Sequence, residues 1–343
     1  MKVCPNCFND SELKSYIETI STENGKCDYC NLGTDSVLLG IVELKDFFAE
    51  FLGIFKEDSD GERLVEIINN DWNLFSVNVT DNKLLSDLLS AIDSSISDPF
   101  QKVKYIDDIT YCTSYWEKLK FNLKWNRRYL TDLEELFEIG WGSFFNEECT
   151  LSYDQELYRA RIHKNADQHT FPLDKMKCPR KEEATSGRAN PQGIPYLYLS
   201  KNPETTLYET RATHLDEISV GKFKIKENEE VVLVDFTEEI SAYNNIGNIL
   251  EYTKSILLKK DISIELSKPI RRYDSELEYI PTQFICEFIR YNSKANFKAD
   301  GILFNSSLHL GGKNIVLFEQ DKVECISVEK YRITNIDIKS SIV

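Results

Sequence analysis

Residues 185–210 read TSGRANPQGIPYLYLSKNPETTLYET. Pro191 and Gly193 turn the chain sharply, and an apolar alternation through Tyr198 then extends it as a strand. Arg188 lies in the turn, Tyr198 in the strand, and a lone Glu209 follows. The same texture surrounds this stretch from Leu157 onward. Short β-like runs recur as LYRARI (157–162), ISVGKFKI (218–225), EVVLVDF (230–236), DGILFNS (300–306) and NIVLFEQ (314–320), interrupted by one helix-like segment, PTQFICEFIRYN (281–292). Strands with few helices between them predict an α+β domain rather than a doubly wound one.

Working outward, the chain has 343 residues, 41% of them apolar and 12% aromatic, enough for two real cores and too much for disorder. The net charge of −16 is uneven: residues 1–150 carry 14 Lys+Arg against 28 Asp+Glu, and residues 151–343 carry 27 against 29. Such a shift suggests two domains. An acidic surface repels phosphate backbones, so nucleic acid and anionic membranes are disfavoured partners. MKVCPNCFND at the start has no apolar core for a signal peptide, and the most apolar window, from Val37, is broken by Glu43, Lys45, Asp46 and Glu50. The expectation is a soluble, cytoplasmic protein.

Nine cysteines are too few for a disulfide scaffold. Four of them form Cys4-Pro-Asn-Cys7 and Cys27-Asp-Tyr-Cys30, two CxxC pairs 19 residues apart. This spacing fits one tetrahedral Zn²⁺ held by four thiolates, a closed structural site tying down residues 1–36. A helical block is expected over 37–150. Leu38, Ile41, Val42, Leu44, Phe47, Phe48, Phe51, Leu52 and Phe55 recur at helical spacing, and Asp81 or Asn82 could cap a helix carrying Leu84, Leu85, Leu88, Leu89 and Ile92. No histidine precedes His163, so the first 150 residues cannot supply an Arg/His pair for metal-independent RNA cleavage. HExxH, GxGxxG and Walker-type loops are absent there too.

In the second half, Arg159 and Arg161 are two apart in a strand and so share a face. Ser306 ends another strand. Gln283 and Glu287 are four apart on the helix-like segment, where packing is the ordinary reading and a cleft role the sharper one. His163, His169, His214 and His309 read as ordinary loop or surface residues. LGGKN (310–314) lacks the spacing and the Ser/Thr of a phosphate loop.

YRAR (158–161), GRANPQGIPYLYLS (187–200), TTLYE (205–209), ISV (218–220), YIPTQFICEFIR (279–290), ADGILFNSS (299–307) and NIVLF (314–318) follow one another in the order seen in RES domains. The segment 157–320 therefore resembles that toxin family, named for an arginine, a glutamate and a serine. The N-terminal pattern of CxxC, Phe8, CxxC and an apolar helix is similar to the HEPN/RES N-terminal domain. The resemblance implies a fold like that of ADP-ribosyltransferases, with two small sheets across a cleft that holds NAD. It implies Arg159 as the first arginine with Arg161 as a substitute, Glu209 as the glutamate and Ser306 as the serine, and gives Arg188 and Tyr198 its GRAN…Y positions. Arg188, Tyr198 and Arg161 are expected to bind the substrate, joined by Gln283 in the cleft reading of its helix. The stretch from about Asn244 to Ser275 matches nothing in it.

These residue types suit cleavage of the nicotinamide–ribose bond. The leaving group departs as neutral nicotinamide, so no proton donor is needed. Positive charge develops on the ribose, where a carboxylate such as Glu209 stabilises it. Arginines suit the diphosphate, and an aromatic face such as Tyr198 can stack on the nicotinamide. Ser306 has no histidine–acid pair to activate it and is expected to hydrogen-bond the substrate rather than attack. The leading expectation is an NAD-consuming toxin or defence effector, a glycohydrolase or phosphorylase. The alternatives are an ADP-ribosyltransferase acting on a macromolecule, and a non-enzymatic scaffold. An antitoxin, an activator or a second copy would bind the N-terminal block.

Overall fold

The computed structural model describes residues 1–30, 32–79, 82–92, 94–145, 148–165, 169–238, 240–271, 276–291 and 298–336. By packing, the chain forms two compact units, residues 1–116 with 239–258, and residues 117–238 with 259–343. The sequence reading draws its boundary near residue 150. Packing draws it near residue 117, because Phe137, Trp141 and Phe145 pack on Phe288 of the second half, and 239–258 returns to the first unit.

In the first unit, β1 (Lys2–Val3), β2 (Glu23–Gly25) and β3 (Ser36–Gly40) form an antiparallel sheet with β3 in the middle. Val3 lies opposite Leu39, and Gly25 opposite Ser36. The chain enters Cys4 directly from β1 and reaches Cys27 just after β2, so pairing to β3 brings the two CxxC turns together. The single helix expected across Leu38–Phe55 is thus not formed. Leu38 and Leu39 belong to β3, Ile41–Leu44 is a 3-10 turn, and only α2 (Lys45–Leu52) is helical, following α1 (Ser11–Ile20). The need to pair with β1 and β2 overrides helical periodicity here.

After α2 come β4 (Phe55–Arg63), α3 (Leu64–Ile67), α4 (Lys83–Ile92) and β5 (Lys102–Tyr105), with β4 and β5 paired antiparallel. Leu84, Leu85, Leu88 and Leu89 of α4 and Phe47, Phe48, Phe51 and Leu52 of α2 are buried in one core with Leu13 and Ile17 of α1. Helices still outweigh strands here, as the sequence leads one to expect, and the strands add two small antiparallel sheets. Asp81, one of the two proposed caps for α4, lies outside the described residues.

The next helices are α5 (Asp107–Trp125), α6 (Leu133–Glu138) and α7 (Trp141–Phe144). The second unit is built on eight strands: β6 (Glu148–Leu151), β7 (Leu157–Ile162), β8 (Leu197–Ser200), β9 (Glu217–Ile225), β10 (Val231–Asp235), β11 (Gly301–Asn305), β12 (Lys313–Leu317) and β13 (Val323–Arg332). Their order is β13-β9-β7-β8-β12-β11-β10-β6. Among the described strands, only the β10–β11 pair runs parallel. Two small sheets are expected from the sequence; the ladder instead joins all eight strands. The join is narrow, because β7 and β8 meet at a single pair, Tyr158 opposite Ser200. Beyond that pair the strands part, and a cavity opens there.

One face of the sheet buries Leu157, Leu197, Leu199, Phe223, Leu233, Leu303, Ile315 and Leu317. The remaining helices are α8 (Pro203–Glu209), α9 (Ile249–Ser267) and α10 (Ile280–Tyr291). Of these, α10 buries Ile285, Cys286, Phe288 and Ile289. The unassigned stretch after Asn244 is largely α9; residues 272–275 at its end lie outside the described residues. Glu50 accepts the Gly247 and Ile249 amides at 2.7 and 3.0 Å and so caps this helix. Among the described residues, no helix is long and apolar enough to cross a membrane.

Candidate active site

Asn202-Pro203 starts α8. The Asn202 side chain accepts the Thr205 amide at 2.8 Å, and Pro203 occupies the first helical position, where its missing N–H is harmless. Seven residues later the helix ends at Glu209. Glu209 thus projects from a helix terminus rather than from the strand-and-turn texture in which the sequence set it.

Two donors converge on Glu209 Oε1. Ser306 Oγ donates at 2.6 Å and Asn314 Nδ2 at 2.7 Å. No donor reaches Oε2 among the described residues. The Ser306 hydroxyl oxygen accepts the Leu308 and His309 amides at 3.2 and 3.0 Å, which fixes its rotamer. Ser306 is expected to hydrogen-bond the substrate, but here its proton is committed to the Glu209 carboxylate.

The loop 306–312 is drawn against α8. His309 Nδ1 is 2.8 Å from Thr205 Oγ1, and its ring stacks on Tyr208 at 4.7 Å. Thr205 Oγ1 already donates to Asn202, so His309 Nδ1 carries the proton and donates. Gly311 has φ +77°, and a Cβ on Gly312 would lie 2.6 Å from Thr205 Oγ1. The two glycines of LGGKN thus allow a close approach of loop and helix. His309 is a loop residue, as expected, and it ties the loop of Ser306 to the helix of Glu209. His163, by contrast, is buried, with Nε2 2.8 Å from Ser219 Oγ and its ring stacked on Phe171.

Glu209, Arg159, Arg188 and Tyr198 all line one cavity of about 560 Å³, together with Ser200, Arg211, Arg271, Tyr279 and Asn314. This volume is in the range of small-molecule and cofactor sites. Ser306 stands behind the wall, which its neighbours Ser307 and Leu308 complete.

Arg159 lines the cavity where β7 and β8 part. Its Nε and Nη1 are sealed from solvent and have no acceptor among the described residues. Burial pulls the guanidinium below its ordinary value. A sealed cation with open donors is a site waiting for an anion. Arg161 is used differently: it donates to the Lys175 carbonyl, lies 4.8 Å over the Phe171 ring, and is not in the cavity wall.

The turn of Arg188 is locked from several sides. Asn190 Nδ2 donates to the carbonyls of Thr185, Pro191 and Ile194. Tyr198 donates its hydroxyl to Asn190 Oδ1 at 2.8 Å and accepts the Ala189 amide at 3.0 Å. Burial pushes the Tyr198 phenol up, so it stays protonated for that role. A Cβ on Gly187 would lie 2.7 Å from both Asn190 Oδ1 and Tyr198 Oη. Gln283 does not line the cavity. Its Nε2 donates to the Gly187 and Asn190 carbonyls at 2.8 and 3.0 Å, so it buttresses the turn. Glu287, one turn further along α10, is also absent from the wall. Arg188 itself donates to the Glu265 carbonyl at 3.0 Å and sits 5.9 Å over Tyr279.

This arrangement has a carboxylate at a helix end, its serine donor, and arginines around one cleft. The model of the family described as RES domain matches residues 156–336. The chain belongs to the RES domain family. The match spans β7 to β13 and so contains the whole RES cavity. RES membership is consistent with an NAD-acting enzyme and suggests a toxin or effector. No curated protein and no solved structure matches the chain.

Asn314 and its partner Ser200 are the residues that sequence reasoning missed. Asn314 opens NIVLF, where an amide looks like the edge of a strand; only the register, Asn314 opposite Ser200, shows that it points to the cleft. The signal Asn-Pro before Glu204 was also readable as a helix start.

The first unit carries a separate site. The sulfurs of Cys4, Cys7, Cys27 and Cys30 all lie within 4.8 Å of one another and could hold a metal ion. Cys4–Cys7, Cys4–Cys30 and Cys7–Cys27 are 3.9, 3.5 and 3.4 Å apart. Thiolates at about 2.3 Å from a tetrahedral zinc are about 3.8 Å apart, so the set fits. The Tyr29 amide donates to Cys27 Sγ at 3.4 Å, as ligand sulfurs often require.

Proposed function

We propose that the RES cavity binds NAD⁺ and cleaves its nicotinamide–ribose bond, depleting the dinucleotide as a toxin or defence effector does. The observation that carries this reading is the Glu209 carboxylate, held through Oε1 by Ser306 and Asn314, in a cavity that also holds Arg159, whose Nε and Nη1 have no partner among the described residues.

The bond between ribose C1′ and the pyridinium nitrogen breaks with its electron pair leaving on nicotinamide, which departs neutral. The ribose carries the positive charge, and Glu209 Oε2 lies against it or its hydroxyls. A fixed carboxylate stabilises that charge without reorganising. Arg159 and Arg188 take the diphosphate, where forked donors match phosphate oxygens. The acceptor adds at C1′. Water loses a proton and gives ADP-ribose; phosphate gives ADP-ribose-1″-phosphate. Tyr198 offers a ring to the wall while its hydroxyl holds the turn, so its contribution is shape as much as stacking. Transfer to a macromolecule uses the same groups and differs in acceptor alone.

The four-cysteine cluster takes Zn²⁺, which when bound neutralises the thiolates and ties β1 to β2. The first unit then serves control or assembly, binding an antitoxin, an activator or a second copy.

The test is incubation of the purified chain with NAD⁺, with and without phosphate, and chromatographic separation of products. Nicotinamide with ADP-ribose or its 1″-phosphate supports the reading. Intact NAD⁺ together with no ADP-ribose adduct on lysate proteins refutes it.

A further inference from the structure

We propose that Asn314 is the positioning residue that sets the Glu209 carboxylate in its working orientation, with Ser200 fixing Asn314 in turn; this rests on the reading of the cleft given above. Asn314 and Ser200 face one another on β12 and β8, and both side chains are buried. A buried amide in a strand that continues as Ile315, Val316 and Leu317 is unfavourable unless both its ends are satisfied. Here both are. Ser200 Oγ donates to Asn314 Oδ1 at 2.8 Å, and Asn314 Nδ2 donates to Glu209 Oε1 at 2.7 Å.

A carboxylate only accepts, so the amide must present Nδ2 to Glu209 and Oδ1 to Ser200. The direction of the relay is therefore fixed. Ser306 reaches the same oxygen from a loop, whereas Asn314 reaches it from the middle of the sheet. The sheet-borne donor defines where the carboxylate stands relative to the cleft floor. With both donors on Oε1, the oxygen left for the ligand is Oε2.

Steady-state cleavage of NAD⁺ across pH by the full-length chain and three variants tests this, with thermal melts establishing that each variant is folded. Asn314→Leu is expected to lower kcat about 10²-fold with little change in KM. Asn314→Asp, nearly isosteric, sets two carboxylates together. It is expected to be slow at neutral pH and to regain activity as pH falls, because a protonated Asp donates where the amide did. Ser200→Ala is expected to fall between Asn314→Leu and the native chain. Should Asn314→Leu fail to fold, the pH profile of Asn314→Asp decides. An Asn314→Asp profile that follows the native one, or a folded Asn314→Leu with native kcat, overturns the role of Asn314 alone. A native chain inert toward NAD⁺ overturns the reading of the cleft and this role with it.

Discussion

Ser306 and Glu209 are 97 positions apart in the chain, and the hydroxyl of one donates to the carboxylate of the other at 2.6 Å. Ser306 follows β11 and Glu209 ends α8, so the contact exists only once sheet and helix are assembled. It joins the loop after β11 to the end of α8 behind the cavity wall.

Arg159 has no carboxylate partner for its buried charge among the described residues. Its Nε and Nη1 are sealed and unpaired, and burial disfavours its charge. Arg159→Met should therefore melt at a higher temperature, by roughly 1–4 kcal/mol of stability, since an uncompensated buried charge gives way to a packed side chain. The same variant should raise KM for NAD⁺ about 10-fold or more. Calorimetry and kinetics on one preparation check both; a lower melting temperature with native KM would show that Arg159 is structural.

The cysteine cluster should carry one zinc per chain by elemental analysis. Cys7→Ser should lose it, and the stability of the first unit should fall by on the order of several kcal/mol. Because the ligands must be thiolates, metal affinity should weaken as pH falls. A metal-free preparation that melts like the metal-loaded one contradicts a structural role.

Glu287 predicts a pH effect remote from the cleft. Burial raises its pKa above the ordinary glutamate value, with Arg290 offsetting in part. The folded state thus holds this proton to higher pH than the unfolded chain does. Stability is undiminished below the unfolded pKa and falls as pH rises through the window up to the raised value. Glu287→Gln should accordingly raise the melting temperature at pH 8 and leave it unchanged near pH 4, as thermal melts at the two pH values would show.

Much of this was legible in the sequence. The strands β7 to β12 announced themselves as short apolar runs between turns, and α10 as an amphipathic segment. The CxxC pairs were readable because metal spacing is local. The strand β3 was not, since pairing with β1 and β2 is information held elsewhere in the chain. Helix α9 escaped assignment because it buries Ile249, Tyr252, Ile256, Leu258, Ile262 and Leu266 along with Thr253 and Lys259, so no single apolar stripe stands out. Glu209, Arg159 and Arg188 were found through the family pattern, and the structure brings them to one cavity. Arg161 and Gln283 match the same pattern yet turn to other tasks, because strand alternation and helix spacing fix a face but not a contact. Asn314 was invisible until its register partner Ser200 was known.

The most direct test of the account is a time course of nicotinamide release from NAD⁺ by the native chain and by Glu209→Gln, which keeps the shape of the side chain and removes its charge. Glu209 is exposed at the cavity, so the variant should stay folded. The account predicts release by the native chain and a loss of about 10³-fold or more in Glu209→Gln. Release at the native rate by a folded Glu209→Gln would contradict it.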